Sequence, residues 1–172
     1  MPRLSDLKVK LFTDGADKAQ IVEMARQPWI AGFTTNPSLL KKAGVSDYRA
    51  FAKEVLSAIP DRPISFEVFA DDFPTMERQA LEIRGWGENV YVKIPVMNTK
   101  RETSYELIER LCAAGVKLNV TALLTLEQVR SVTHALRAGT PSVVSVFAGR
   151  LADLGIDYRP LVRQAVKLAR QT

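Results

Sequence analysis

The sequence predicts an α/β protein of the (β/α)8 barrel type, of which six strand-and-helix units are present in 172 residues. Short apolar strands alternate strictly with amphipathic helices, which is typical of a parallel sheet covered by helices. Every strand also carries a polar side chain near its C-terminal end, the edge at which barrel enzymes gather their chemistry. An open doubly wound sheet is the alternative, but DGADK follows the first strand where a dinucleotide fold has a glycine-rich turn.

The first two units occupy roughly the first third of the chain. Residues 8–13 predict a strand, and Asp17 can cap the helix that follows. A second strand covers about 30–35, and Pro37 begins a new turn or short helix. Asp47 opens a longer helix. Its apolar face carries Tyr48, Phe51, Val55 and Ile59.

The third and fourth units contain the most β-branched strands. Residues 64–70 predict the third strand, and the next helix is apolar at Met76, Ala80 and Ile83. Residues 89–96, NVYVKIPV, predict the fourth strand. The helix after it ends at Gly115. Its apolar positions are Leu107, Ile108 and Leu111.

The last two units complete a single domain, residues 1–172, with no linker or low-complexity segment. Strand five spans 116–124, and TLEQ from Thr125 is a capping-box pattern. That helix carries Val129, Val132 and Leu136 and ends at Gly139. Strand six spans 142–148 and is followed by a turn, GRLADLG. A final helix runs from about Asp157, with Leu161, Ala165 and Leu168 inward.

Composition favours a soluble cytoplasmic protein. Hydrophobic residues make up 47% and charged residues 25%, and neither a membrane-spanning run nor a signal-peptide pattern is present. The single cysteine, Cys112, cannot form an internal disulfide and suits a reducing compartment. His134 has no partners at metal-ligand spacing. The net charge of +5 is scattered and is as compatible with anionic small molecules, phosphates especially, as with nucleic acid. Nucleic acid is not an expected partner, because no recognition motif is present.

Lys93 is the leading candidate for chemistry. It lies near the end of strand four between apolar neighbours, where burial disfavours the charged form of a lysine. A neutral amine can attack a carbonyl carbon and form a Schiff base. The simpler alternative is a strand-end lysine that extends to water. Polar residues at the other strand ends favour the chemical role: Asp14, Asn36, Glu67, Asn119, Thr121 and Ser145.

Four phrases together resemble the transaldolase family over the whole chain. They are TTNPS (34–38), VKIP (92–95), NVTALLT (119–125) and SVFAGRLAD (145–153), in the expected order on the expected strands. The resemblance implies a class I aldolase-type barrel that transfers a dihydroxyacetone unit between phosphosugars and needs no metal or other cofactor. It also implies a homo-oligomer that binds neither nucleic acid nor membrane.

The resemblance assigns a role to each matching residue. Lys93 corresponds to the Schiff-base nucleophile and Asp14 to the general acid/base. Glu67 and Thr121 correspond to the pair that holds a catalytic water. The remaining matches are substrate-binding positions: Asn36, Asn119, Ser145, Phe147 and, for phosphate, Arg150.

Some features leave the exact activity open. Glu67 and Phe147 favour the transaldolase branch over aldolases that use free dihydroxyacetone, which tend to carry glutamine and tyrosine there. Gly15 and Val146 depart from the usual threonine and proline. Eight units would need about 230 residues, so we expect strands seven and eight to be missing by truncation, with a partner chain that supplies the missing wall as the alternative. A non-catalytic relative that binds sugar phosphates or serves in assembly is the alternative to an enzyme.

Overall fold

The computed structural model describes residues 6–136 and 139–171. Within these ranges the chain alternates strands with helices from end to end. The strands are β1 Leu11–Asp14, β2 Ile30–Thr34, β3 Ile64–Glu67, β4 Val90–Pro95, β5 Leu118–Leu123 and β6 Ser142–Val146. The helices are α1 Lys18–Ala25, α2 Pro37–Lys42, α3 Tyr48–Ala58, α4 Phe73–Arg84, α5 Tyr105–Ala113, α6 Leu126–Ala135, α7 Ala148–Asp153 and α8 Arg159–Ala169.

The strands form one sheet in the order β1-β2-β3-β4-β5-β6, and the pairings β1 with β2, β2 with β3, β4 with β5 and β5 with β6 are parallel. Strand order therefore follows chain order without the reversal that defines a doubly wound sheet. Sequential parallel strands joined by helices are the construction of a TIM-type barrel. The predicted α/β fold class is confirmed, and the doubly wound alternative is wrong.

The first compact unit comprises the described residues up to Glu67 together with Ile83–Tyr91. Its helices begin where short polar side chains accept a backbone hydrogen bond: Asp17 from Gln20, Asn36 from Leu39 and Asp47 from Ala50. The apolar face predicted for α3 is largely buried, at Phe51, Val55 and Ile59. Tyr48 on that face is half-buried.

The second compact unit comprises Val68–Glu82 and the described residues from Val92 onwards. The apolar face of α5 is buried at Leu107, Ile108 and Leu111. Gly115, at φ 74°, ends that helix as predicted. The capping box at Thr125 is present, since its hydroxyl accepts from Gln128 and the Gln128 side chain accepts in return.

Several predicted boundaries are wrong, and β3 shows why. The strand ends at Glu67 although the apolar pattern continues to Ala70, because the backbone N–H groups of Phe69 and Ala70 donate to the Gln79 side chain instead of a neighbouring strand. The other predicted strands are also shorter than their patterns, and β1 begins at Leu11.

The segment predicted as a turn, GRLADLG, is instead helix α7. Ala, Leu and Arg are strong helix formers. Gly155, at φ 71°, closes the helix with paired bonds from Gly155 to Ala152 and from Ile156 to Leu151, which is a Schellman motif. Helix α8 begins at Arg159, two residues after the predicted start. Helix α6 ends at Ala135, before the predicted stop at Gly139, and residues 137–138 lie outside the described ranges.

Candidate active site

In the second unit, strand register places four of the candidate side chains on one face of the sheet. Lys93 pairs with Asn119 and Pro95 with Thr121, and directly paired residues of parallel strands point to the same side. Asn119 also pairs with Val143. Ser145 follows Val143 by two residues, so it shares the face of Lys93, Asn119 and Thr121.

Lys93 is buried in this arrangement. Only 9% of the residue is exposed, and its neighbours in the strand, Val92 and Ile94, are fully buried. Asn119 and Thr121 are even less accessible than Lys93. Burying a polar side chain is costly unless it is hydrogen-bonded. Such placement is typical of functional sites.

Thr121 carries a buried hydroxyl that stands out among the polar groups of this face. The residue is 2% exposed, and its Oγ1 has no hydrogen-bond partner among the described residues. A hydroxyl can donate one hydrogen bond and accept two. Thr121 could therefore bind a water or a substrate oxygen, as its predicted role requires.

The backbone next to Thr121 is irregular. Between Val120 and Leu123 the pairing of β5 with β6 shifts by one residue, and Ala122 adopts a left-handed φ of 65°. A β-bulge of this kind bends the strand and redirects neighbouring side chains, and bulges are frequent beside active sites. Thr121 therefore lies within the irregular part of β5.

Replacing Thr121 by valine tests this hydroxyl. Valine has nearly the same shape as threonine but lacks the hydroxyl. A buried polar group without a hydrogen bond costs about 1–3 kcal/mol of stability. Its removal is therefore expected to raise the free energy of unfolding by about 1 kcal/mol. Activity is expected to fall in the same variant. Thr35→Val is the matched control, because the buried Thr35 hydroxyl donates to Ser65 at 3.1 Å and its loss should lower stability. Urea denaturation shows whether each substitution raises or lowers the free energy of unfolding. A Thr121→Val variant that is less stable than the wild type would contradict the prediction.

In the first unit, Asp14 is the last residue of β1 and is exposed. Its Oδ1 accepts a hydrogen bond of 2.8 Å from the Thr34 hydroxyl, and the two residues are paired in the register of β1 and β2. Helix α1 is capped by Asp17, as predicted, so the Asp14 carboxylate is not used as a helix cap. Asp14 is therefore an oriented carboxylate at a strand end, which is a suitable geometry for proton transfer.

Asn36 caps a helix, a structural role that was not predicted from the sequence. Its Oδ1 accepts from the Leu39 backbone N–H at 2.9 Å and so caps helix α2. Any contact of Asn36 with a substrate hydroxyl would then use the side-chain Nδ2 group as donor.

Glu67 is half-buried at the last residue of β3. Its backbone carbonyl accepts a 3.1 Å hydrogen bond from the hydroxyl of Tyr48. From the sequence, Tyr48 is predicted only as part of the apolar face of α3, and its contact with Glu67 is not predicted. The signal was available, because a tyrosine at a buried helix position normally needs a partner for its hydroxyl.

Phe147 and Arg150 lie beyond β6. Phe147 is half-buried at the start of α7, and its N–H donates to Leu123 at 2.9 Å. The Arg150 side chain is 76% exposed and lies 3.8 Å from the Asp153 carboxylate. An exposed ion pair of this kind contributes little, so the guanidinium could exchange Asp153 for an anionic ligand.

Side-chain hydrogen bonds that were not predicted from the sequence stabilise the loop after β4. The Asp71 carboxylate accepts from the N–H and the hydroxyl of Thr99, at 2.8 and 2.6 Å. Both hydrogen bonds lower the pKa of Asp71, and the bond from the Thr99 hydroxyl has the larger effect. The Asn98 side chain accepts from the backbone of Lys100 and Glu102. The segment that follows the Lys93 strand is thereby ordered.

Metal-binding clusters and membrane-spanning helices also bear on what the described residues can do. In the part of the chain that the structure describes, no three His, Cys, Asp or Glu side chains are grouped so as to hold a metal ion. Of the described helices, none has both the length and the apolar composition needed to cross a membrane.

Comparison with known proteins gives a consistent result. The sequence profile of the family described as Transaldolase/Fructose-6-phosphate aldolase matches residues 11–172. A protein named "Probable transaldolase" from Dehalococcoides mccartyi is 34% identical over 163 residues, which is 95% of this chain and 72% of that protein. One of the same name from Methanococcus maripaludis is 38% identical over 160 residues, 93% of this chain and 70% of that protein. The chain therefore belongs to the transaldolase/fructose-6-phosphate aldolase family.

Proposed function

We propose that this protein is a transaldolase that works through a Schiff base on Lys93. It would transfer a dihydroxyacetone unit from sedoheptulose 7-phosphate to glyceraldehyde 3-phosphate, yielding erythrose 4-phosphate and fructose 6-phosphate, in the pentose phosphate pathway. The observation that carries the proposal is the buried residue Lys93, which shares a sheet face with Asn119 and Thr121. Family membership supports the same chemistry.

The reaction would begin with attack of the Lys93 amine on the ketose C2 carbonyl. The carbinolamine loses water to form an iminium ion, and the protons move through a water held by Glu67 and Thr121. Asp14 then takes the proton of the C4 hydroxyl while the C3–C4 bond breaks and its electron pair flows to the iminium nitrogen. The resulting enamine attacks the acceptor aldehyde, and hydrolysis frees Lys93 for the next cycle.

The other candidate side chains would bind the substrate. Asn36, Asn119 and Ser145 are suited to sugar hydroxyls. Arg150 is suited to a phosphate, because the planar guanidinium can donate two parallel hydrogen bonds. Phe147 would line the pocket. A fructose-6-phosphate aldolase that uses free dihydroxyacetone is the second candidate, since the matched family includes both activities.

The proposal extends to the setting of the enzyme. A cytoplasmic location is supported by the single cysteine, Cys112, which is buried and cannot form an internal disulfide. A homo-oligomer with phosphosugars as its small-molecule partners is the expected working form.

Trapping with borohydride tests the proposal. Reduction in the presence of fructose 6-phosphate should convert the transient imine into a stable adduct, which peptide mass spectrometry is expected to find on Lys93. Omitting the sugar is the control. A folded protein that binds the sugar phosphate yet gains no adduct would contradict the proposal and indicate a non-catalytic relative.

The same substrate separates the two enzyme activities. A transaldolase should form sedoheptulose 7-phosphate from fructose 6-phosphate only when erythrose 4-phosphate is supplied as acceptor. Release of free dihydroxyacetone without any acceptor would favour the aldolase instead.

A further inference from the structure

The hydrogen bonds between β2 and β3 follow a regular step that is interrupted beside Glu67. Phe33 N–H donates to the Pro63 carbonyl at 2.9 Å, and Thr35 N–H donates to Ser65 at 3.0 Å. Each step advances both strands by two residues, so the next donor in the series would be residue 37. That residue is Pro37, which has no N–H. The ladder cannot supply a donor to the next carbonyl of β3.

That next carbonyl belongs to Glu67, and the Tyr48 hydroxyl donates to it at 3.1 Å. Tyr48 is the first residue of α3 and comes from outside the sheet. A side-chain hydroxyl thus takes the place of the backbone donor that proline removes. Unsatisfied carbonyls are costly in part-buried positions, and this contact provides the missing hydrogen bond where the strand ends.

The Tyr48 ring is held in a fixed orientation by two other aromatic side chains. Its centroid lies 6.0 Å from Phe66 and 5.1 Å from Trp86, both edge-to-face. The Phe66 and Trp86 rings also contact each other edge-to-face at 5.7 Å. Such pairs are directional, so they restrict where the hydroxyl can point.

The hydroxyl remains protonated under all ordinary conditions. Burial raises the pKa of Tyr48 well above its usual value, because the phenolate would lose its hydration. The Thr35 side chain also hydrogen-bonds to the phenol. Tyr48 is therefore a permanent donor at the ends of β2 and β3.

We propose that Tyr48 is a positioning residue for Glu67: its hydroxyl fixes the last peptide of β3 and so sets the direction of the Glu67 carboxyl. The inference rests on the proposed function, in which Glu67 holds the catalytic water. Tyr48 itself does not touch the reacting atoms. The Val68 N–H still donates to the Lys93 carbonyl at 3.1 Å, but from Phe69 onward the backbone N–H groups donate to the Gln79 side chain. The Tyr48 contact therefore anchors β3 at its last residue.

Replacing Tyr48 by phenylalanine removes the hydroxyl and keeps the ring contacts. Because a small misplacement of a catalytic group is costly, kcat is expected to fall roughly tenfold to hundredfold, with KM unchanged. The rate of adduct formation on Lys93 should fall by the same factor. Tyr158→Phe is the matched control, since Tyr158 is partly exposed and its side chain makes no capping bond; it should match the wild type.

A double-mutant cycle with Glu67→Gln shows whether Tyr48 acts through Glu67. If it does, adding Tyr48→Phe to Glu67→Gln should lower kcat little further. Fully additive losses, or a Tyr48→Phe variant with wild-type kcat, would overturn the positioning role while leaving the Schiff-base proposal standing.

A measurement without turnover separates the two proposals. In isotope-labelled protein, the carbonyl carbon resonance of Glu67 is expected to move in Tyr48→Phe and to stay in place in Tyr158→Phe. An unchanged resonance would overturn the inference. This outcome does not depend on whether Lys93 can be trapped.

Discussion

Replacement of Lys93 by methionine is expected to lower kcat/KM by about 10⁴-fold or more and to abolish the borohydride adduct. Methionine has a similar length and an apolar character, so it fits the buried position between Val92 and Ile94. The variant lacks only the nitrogen that would form the covalent bond. Because a buried amine is costly, the free energy of unfolding should stay the same or rise, and circular dichroism can verify the fold.

The matched control is Lys53→Met. Lys53 is exposed on α3, so the same chemical change should leave the rate at the wild-type value. A Lys93→Met enzyme that keeps a rate close to that of the control would show that no Schiff base on this residue is needed. Loss of activity together with loss of the folded circular dichroism signal would instead indicate a structural role for Lys93.

The two-residue period of a strand explains why the arrangement around Lys93 was predictable. Asn119 and Thr121 are two apart on β5, and parallel register brings them to the same face as Lys93. Thr125 was predictable for a similar reason, because a capping box needs only residues within one helical turn. Local patterns of this kind are encoded directly in the sequence.

Contacts between distant segments were not predictable in the same way. The end of β3 depends on Gln79, whose side chain accepts hydrogen bonds from the N–H groups of Phe69 and Ala70. The apolar pattern of the strand does not indicate that a side chain replaces a neighbouring strand as their acceptor. The cap made by Asn36 is local and could have been found from the proline that follows it. The contact of Tyr48 with Glu67 needed the three-dimensional fold.

At the candidate site residues, the two compact units differ in how they hold polar groups. In the second, Thr121 lacks a partner among the described residues and Lys93 is nearly inaccessible. In the first, Asp14 and Asn36 accept bonds from neighbouring groups. Free energy is therefore given up near Lys93 and Thr121, where binding a substrate or water can recover it.

Replacement of Phe66 by alanine is expected to lower the free energy of unfolding by about 3–5 kcal/mol, the usual cost of removing a buried phenylalanine. Phe66 is fully buried on β3 and contacts the rings of Tyr48 and Trp86. Both edge-to-face contacts are lost with the ring, and each such pair is worth about 0.5–1.5 kcal/mol beyond the area that it buries. Urea denaturation followed by circular dichroism gives the value.

Phe69→Ala is the matched control, since Phe69 lies three residues further on and is 52% exposed. Its loss of stability should be below about 1 kcal/mol. The Trp86 indole nitrogen is buried without a hydrogen-bond partner among the described residues. A cavity at Phe66 that admits water would satisfy that nitrogen and bring the cost towards the lower end of the range, with a red shift of tryptophan emission. Equal losses in the two phenylalanine variants would mean that the aromatic cluster around Tyr48 does not stabilise the end of β3.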